Sequence, residues 1–237
     1  MPMNVTWLGQ SSFVFEYKGY RLVVDPFLSD IVEQREGKKR LMAPPLSVAE
    51  LKPNALLITH DHIDHFDPIA LPEIHWAFPC APIIGPESVL RLARSHHFES
   101  RRLELARVGS EHQLGPFAIR SMPAWHSDPS ALGFLVITNE RRIYLSGDTL
   151  LKPQLFDDLA GEVDRIDLMF IVINGKGGNM PVDDAVSLAA RLRPRLAIPT
   201  HYGMFAENTE NPQRFIDGCR LQKIACRTLQ LGEQTAI

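Results

Sequence analysis

Short apolar runs bounded by Gly, Pro, Asn and Asp alternate along this chain with a few longer stretches in which apolar residues recur every three or four positions. The first pattern predicts strands and the second amphipathic helices. Val5 to Gly9, Phe13 to Tyr17 and Arg21 to Asp25 predict an antiparallel meander, turned at Gln10-Ser11-Ser12 and Lys18-Gly19-Tyr20. Pro26 ends the third strand, because proline cannot continue a ladder. Ala55-Leu56-Leu57-Ile58, behind Lys52-Pro53-Asn54, predicts a buried strand. Further strands are expected at Ala81 to Ile84, Leu103 to Val108, Phe117 to Met122, Leu132 to Thr138, Arg141 to Leu145, Asp167 to Ile173 and Leu196 to Pro199. A last strand pair, broken by Gly232, closes the chain.

Pro86-Glu87 opens a helix running to Phe98, with Val89, Leu90, Leu92 and Ala93 on its apolar side. Pro181 and Asp183 begin a second, which turns Ala185, Leu188, Ala189 and Leu192 inward and stops before Pro194. Asn211-Pro212 caps a third, ending near Lys223. Phe66-Asp67-Pro68 starts a short helical or turn segment. Residues 29–47 read as an irregular, solvated loop around the charge run Arg35 to Arg40. A sharper reading makes that loop a flap offering positive charge to an anionic substrate. No linker or charge boundary divides the pattern, so residues 1–237 are read as one domain.

Composition narrows the function classes. With 45% hydrophobic residues the chain can bury a core, and a net charge of −3 gives no reason to expect nucleic-acid binding. No apolar run approaches the ~18 residues that a membrane helix needs, and no membrane-binding amphipathic stretch is evident. The three cysteines, Cys80, Cys219 and Cys226, form no disulfide framework, which together with a start unlike a signal peptide leads us to expect a cytoplasmic protein.

The chemistry concentrates in His60-Asp61-His62-Ile63-Asp64-His65, directly after the Ala55 to Ile58 strand. Imidazole nitrogens and carboxylate oxygens packed this densely suit a metal site, and His60 and His62, two apart, can face one ion. His126 in Pro123-Ala124-Trp125-His126, Asp148 in Ser146-Gly147-Asp148 and His201 in Thr200-His201-Tyr202 also follow predicted strands. Asp25 is either a turn former or a carboxylate orienting a ligand histidine. His75, His96, His97 and His112 lack a partner motif and read as structural. The loop Asn174 to Met180 has glycines that permit close ligand approach, which nominates Lys176 and Asn179 as substrate contacts. Tyr202, beside His201, is a candidate for binding substrate or protonating a leaving group. Strands flanked by helices, with these polar residues on loops at one edge, describe a sandwich of sheets with a metal cleft.

These motifs resemble those of metallo-β-lactamase-fold hydrolases, and five of that superfamily's motifs can be laid on Asp25, the run His60 to His65, His126, Asp148 and His201 in order. The resemblance implies an α+β fold, a four-layer αββα sandwich, and two divalent metal ions. It implies that His60, His62 and His126 hold one ion, that Asp64, His65 and His201 hold the other, and that Asp148 bridges them. Zinc and manganese both suit this ligand set, and iron is also compatible. A metal-bridging hydroxide would then be the nucleophile, with Asp64 orienting it or taking its proton.

Within the superfamily, Thr59 to His65, Ile84-Gly85-Pro86, Ser146-Gly147-Asp148 and Ile198 to His201 look most like the L-ascorbate-6-phosphate lactonase-like branch. That resemblance implies opening of a small ester or lactone, with or without a phosphate, and points toward a homo-oligomer. A second resemblance, through His60 to Asp67, Pro123 to His126 and Gly147-Asp148-Thr149, is to N-acyl phosphatidylethanolamine phospholipase D, a zinc phosphodiesterase. A non-catalytic, regulatory metal-binding module is the reading from another class. The expected partner is a small molecule, anionic if the flap faces it, with neither nucleic acid nor membrane.

Overall fold

The computed structural model describes residues 2–162 and 164–237. The meander forms as expected: β1 (Asn4–Gly9), β2 (Ser12–Tyr17) and β3 (Tyr20–Val24) pair antiparallel. After α1 (Ile31–Glu36) and α2 (Val48–Leu51), β4 (Ala55–Leu57) joins β3 in parallel. Then α3 (Ala70–Ala77), β5 (Ile83–Gly85), α4 (Glu87–Ser95) and β6 (Leu103–Leu105) extend the same sheet by parallel crossovers. The second sheet runs through β7 (Glu111–Leu114), β8 (Phe117–Pro123), β9 (Leu132–Ile137) and β10 (Arg142–Leu145). It continues, after α5 (Pro153–Asp158), with β11 (Leu168–Val172), α6 (Val182–Leu192) and β12 (Leu196–Thr200). Helix α7 (Pro212–Leu221) and β13 (Gln234–Ala236) end the chain, and β13 pairs with β1. Strand order is β13-β1-β2-β3-β4-β5-β6 in one sheet and β12-β11-β10-β9-β8-β7 in the other.

The layering follows from side-chain alternation. In β2, Phe13 and Phe15 face the space between the sheets while Val14 faces outward; in β4, Ala55 and Leu57 face inward and Leu56 outward. Phe13 and Phe15 meet Phe170 of the opposite sheet at ring-centroid distances of 4.7 and 5.5 Å. The outward set packs under α3 and α4 through Leu71, Ile74, Val89 and Leu90. Leu188 and Leu192 of α6, with Phe215 and Cys219 of α7, cover the other side. Helices therefore flank two face-to-face sheets, and the α+β sandwich is the observed architecture. Among the described residues no helix is long and apolar enough to cross a membrane.

Four expectations need correction. Residues 29–47 are not wholly irregular: α1 buries Ile31 and Val32 in a small satellite core with Phe27, Met204 and Phe205. Its apolar content is two side chains, too little to register as a period. The closing strand pair is one strand, with Leu231 contributing only an isolated bridge to Trp7. Leu103 to Val108 is strand only as far as Leu105, and Asp167 to Ile173 only from Leu168 to Val172. Strand β7, at a sheet edge with half of its residues exposed, has too little apolar content to stand out.

Candidate metal centre

The strands end where the chemistry begins. His60 to His65 follow β4, His126 follows β8, Asp148 follows β10 and His201 follows β12, and all of these residues converge at one edge of the sandwich. Three sets lie with their ligating atoms within 4.8 Å of one another: His60-His62-His126, His60-His65-Asp148 and Asp64-His65-His201. They share members, so the seven side chains form one continuous cluster. The αL backbone at Asp25 (φ 43°) and His201 (φ 61°), unusual for residues with a Cβ, turns the chain sharply at the ends of β3 and β12. Gly147 (φ 59°) is required beside Asp148, since a Cβ there would meet the Leu132 carbonyl at 2.6 Å.

Hydrogen bonds fix which ring nitrogen of His60, His65 and His126 is free. Asp25 accepts from the Thr59 amide (2.8 Å) and the Thr59 hydroxyl (2.7 Å). With its one hydrogen committed, the Thr59 hydroxyl accepts from His60 Nδ1 at 2.9 Å, which leaves His60 Nε2 buried and unpartnered. The other carboxylate contact of Asp25 is His65 Nδ1 at 2.8 Å, and His65 Nε2 is likewise buried without a partner. The Gly178 carbonyl accepts from His126 Nδ1 at 3.1 Å, so His126 Nε2 faces His62 Nδ1 across 3.1 Å. That separation is close to the ~3.3 Å edge between two nitrogens ligating one tetrahedral ion at ordinary metal–nitrogen lengths. His201 Nε2 lies 3.0 Å from Asp148 and 3.5 Å from Asp64. Asp148 Oδ1 is also buried and unpartnered. Orphaned lone pairs converging from imidazoles and carboxylates fit a divalent cation, which would satisfy them all.

The charges divide the cluster. Burial, reinforced by His65, holds His60 well below the ordinary histidine range, and burial also lowers His126, so both rings are neutral donors. Burial opposes charge on His65 and His201 too, but Asp148 with Asp64 outweighs it, raising His65 well above that range and His201 to about 9. Burial likewise raises Asp64 and Asp148, yet the same two histidines hold both carboxyls well below the usual range. In metal-free protein the raised pKa of His201 contributes stability that is complete below pH ~6.5 and is lost as pH rises through about 9. Chelator-treated protein should therefore unfold at lower urea concentration at pH 9.5 than at pH 6.5; equal midpoints would contradict the ion-pair arrangement.

A cavity of about 330 Å³ opens above the cluster. His62, Asp64, His126, Asp148 and His201 form its floor and Val32, Ile63 and Phe205 its apolar side, with Lys38 and Lys176 in the lining beside Glu36 and Asp61. Lys176 Nζ donates to the Glu207 carbonyl at 2.9 Å, and Lys38 pairs with Glu36 at 2.7 Å. Asn179 lines the cavity, but its amide donates to Asp148 Oδ2 at 2.7 Å, so it holds Asp148 instead of presenting that donor to a substrate. Tyr202 departs from expectation: its ring packs on Trp7 at 5.1 Å and is not part of the cavity lining, and burial pushes its hydroxyl up to about 12. Its ring is part of the buried core.

The structure also brings in residues that were not named as site candidates. Ser127 Oγ sits 3.1 Å from His62 Nε2. Asp67 accepts from the Leu28 and Ser29 amides and from the Ile69 and Ala70 amides, tying the loop before α1 to the start of α3. Gln10 contacts both Asp64 and His201. The available signal for Gln10 was its place at a strand end, shared by every other residue of the cluster.

Comparison with known proteins places this arrangement. The family model described as beta-lactamase superfamily domain matches residues 20–202. A UPF0173 protein of Pyrococcus furiosus is 31% identical over 215 residues, covering 90% of this chain and 89% of its own. A UPF0173 metal-dependent hydrolase of Pyrobaculum calidifontis is 31% identical over 219 residues, covering 90% of each chain. Among solved structures, the metallo hydrolase Igni18 of Ignicoccus hospitalis superposes with a TM-score of 0.80 at 20% identity, covering 100% of this chain and 99% of its own. The chain thus belongs to the beta-lactamase superfamily domain family and, within it, to the UPF0173 metal-dependent hydrolase family.

Proposed function

We propose that this protein uses two divalent cations, zinc or manganese, to hydrolyse a small ester or lactone that carries an anionic group. The observation that carries the reading is the convergence of imidazole nitrogens and ionised carboxylates in one cluster, with Nε2 of His60 and of His65 buried and unpartnered and with His62, Asp64, His126, Asp148 and His201 opening onto one cavity. His60, His62 and His126 are assigned to one cation, Asp64, His65 and His201 to the other, and Asp148 to both. Bound there, the cations would lower the pKa of water toward neutrality and polarise the attacked oxygen.

The chain's own groups supply the rest. Thr59 and Asp25 hold His60 and His65 in the tautomers that leave Nε2 free. Asn179 holds Asp148. Asp64, kept ionised, accepts a hydrogen bond from the attacking water and orients its lone pair toward the carbonyl carbon. Its depressed pKa makes it a poor proton store, so the proton passes on to the departing alkoxide oxygen as the carbon–oxygen bond breaks. Val32, Ile63 and Phe205 exclude bulk water from one side, and Lys38 and Lys176 attract the substrate's anionic group.

The test is a hydrolysis screen on zinc- and manganese-loaded protein with Asp64→Ala as blank. It compares lactones and esters with phosphodiesters, and neutral esters with carboxylate- or phosphate-bearing ones of equal leaving group. Lactone or ester opening that vanishes in the blank, with lower KM for the anionic member, is the expected result. Phosphodiester cleavage alone would replace this reading with a phosphodiesterase. Full metal occupancy without turnover in any class would replace it with a regulatory metal-binding module.

A further inference from the structure

Gln10 is a polar residue with no exposed surface, placed one position beyond β1 in the αL region (φ 52°). Its main chain already joins distant parts of the fold: its carbonyl accepts from Trp7 Nε1 and from the His201 amide, each at 3.1 Å. The side chain then reaches into the cluster. Nε2 donates to Asp64 Oδ2 at 2.8 Å and stands 3.2 Å from His201 Nε2, while Oε1 is buried without a partner. None of its hydrogen bonds reaches His60, His62 or His126. Its contacts fall on one half of the cluster alone.

We propose that Gln10 is the positioning residue of the second cation pocket, its amide N–H fixing Asp64 beside His201 so that both face the ion assigned to them. The inference rests on the two-cation reading above. The turn carrying Asp64 is partly open to the cavity, with the carboxylate side chain 17% exposed, so a partner is needed to hold it. A hydrogen bond from a neutral amide to a carboxylate is stronger than one between neutral groups and leaves the carboxylate charged for the cation. A lysine would neutralise Asp64, and a glutamate would set a third carboxylate against Asp64 and Asp148. Glutamine constrains without changing the charge.

The experiment measures zinc and manganese stoichiometry and stepwise affinity by calorimetry and elemental analysis, with manganese EPR reporting exchange-coupled pairs. It uses wild type, Gln10→Met, which keeps the volume and removes the donor, and Gln10→Glu. Wild type should bind two ions per chain. In Gln10→Met the second should weaken tenfold or more while the first changes less than about twofold, and the coupled EPR signal should give way to that of isolated ions. The metal-free melting temperature should stay within a few degrees of wild type. Retention of both ions at wild-type affinity, or parallel weakening of both with a fall in melting temperature, would overturn the proposal. Tighter second-ion binding by Gln10→Glu would also overturn it, making position 10 a direct ligand. Wild type binding a single ion would refute the two-cation reading itself, a failure distinct from the others.

Discussion

Replacing Asp148 by alanine is expected to lower hydrolysis on the order of a thousandfold and to reduce the binding of both cations together. The geometry makes this the most damaging single change to the site. One Asp148 oxygen lies 3.0 Å from His201 Nε2, and Asp148 also groups with His60 and His65 with ligating atoms within 4.8 Å of one another, so the carboxylate stands between side chains assigned to different ions. Removing it also takes away one of the carboxylates that, against burial, raise His65 and His201 in metal-free protein, so both rings should hold their protons less tightly. The variant should therefore release fewer protons on metal binding than wild type, readable by titration in two buffers of different ionisation enthalpy. Wild-type occupancy of both cations in Asp148→Ala would contradict the shared-ligand assignment.

Phe170→Ala should destabilise the fold by about 3–5 kcal/mol and lower the melting temperature on the order of 10 °C. Phe170 is 2% exposed on β11 and meets Phe13 edge-on (62°) and Phe15 at 90° across the space between the sheets. Truncation leaves a cavity bounded by strands of both sheets, which cannot collapse locally because each is held by its neighbours in the ladder. A loss below 1 kcal/mol in urea unfolding would mean that the two sheets do not depend on this aromatic cluster.

The histidine-rich run makes much of the site legible in the sequence. A strand period that stops, followed at once by donors of metal-ligand type, is a local signal, and it recurs at His126, Asp148 and His201. What each donor does is not local. His60 and His65 are both fully buried and five positions apart, yet one is a neutral donor and the other a charged partner of Asp148 and Asp64. That difference comes from the carboxylates set against His65: Asp64 in the same loop, and Asp148 and Asp25 from the ends of other strands. Asp25 shows the same dependence: a turn former by sequence, it becomes the anchor of His65 because β3 and β4 lie parallel and adjacent.

Tyr202 and Asn179 mark the opposite case. Adjacency to His201 suggested a role in the reaction for Tyr202, but successive side chains leave a turn in different directions, and this one enters the core against Trp7. Asn179 sits in a glycine loop that invites ligand approach, and the nearest acceptor proves to be Asp148 of another strand.

Periodicity and donor chemistry in the sequence alone determined the meander, most strands, the main helices and which strand ends carry donors of metal-ligand type, because each depends on residues close together in the chain. Tertiary structure decided the register of the two sheets, which ring nitrogens of His60, His65 and His126 are engaged, the opposite charge tendencies of His60 and His65, the contacts of Gln10 with Asp64 and His201, and the packing of Tyr202 on Trp7. Those properties are set by distance and dielectric between groups far apart in sequence, which only the packed sandwich fixes.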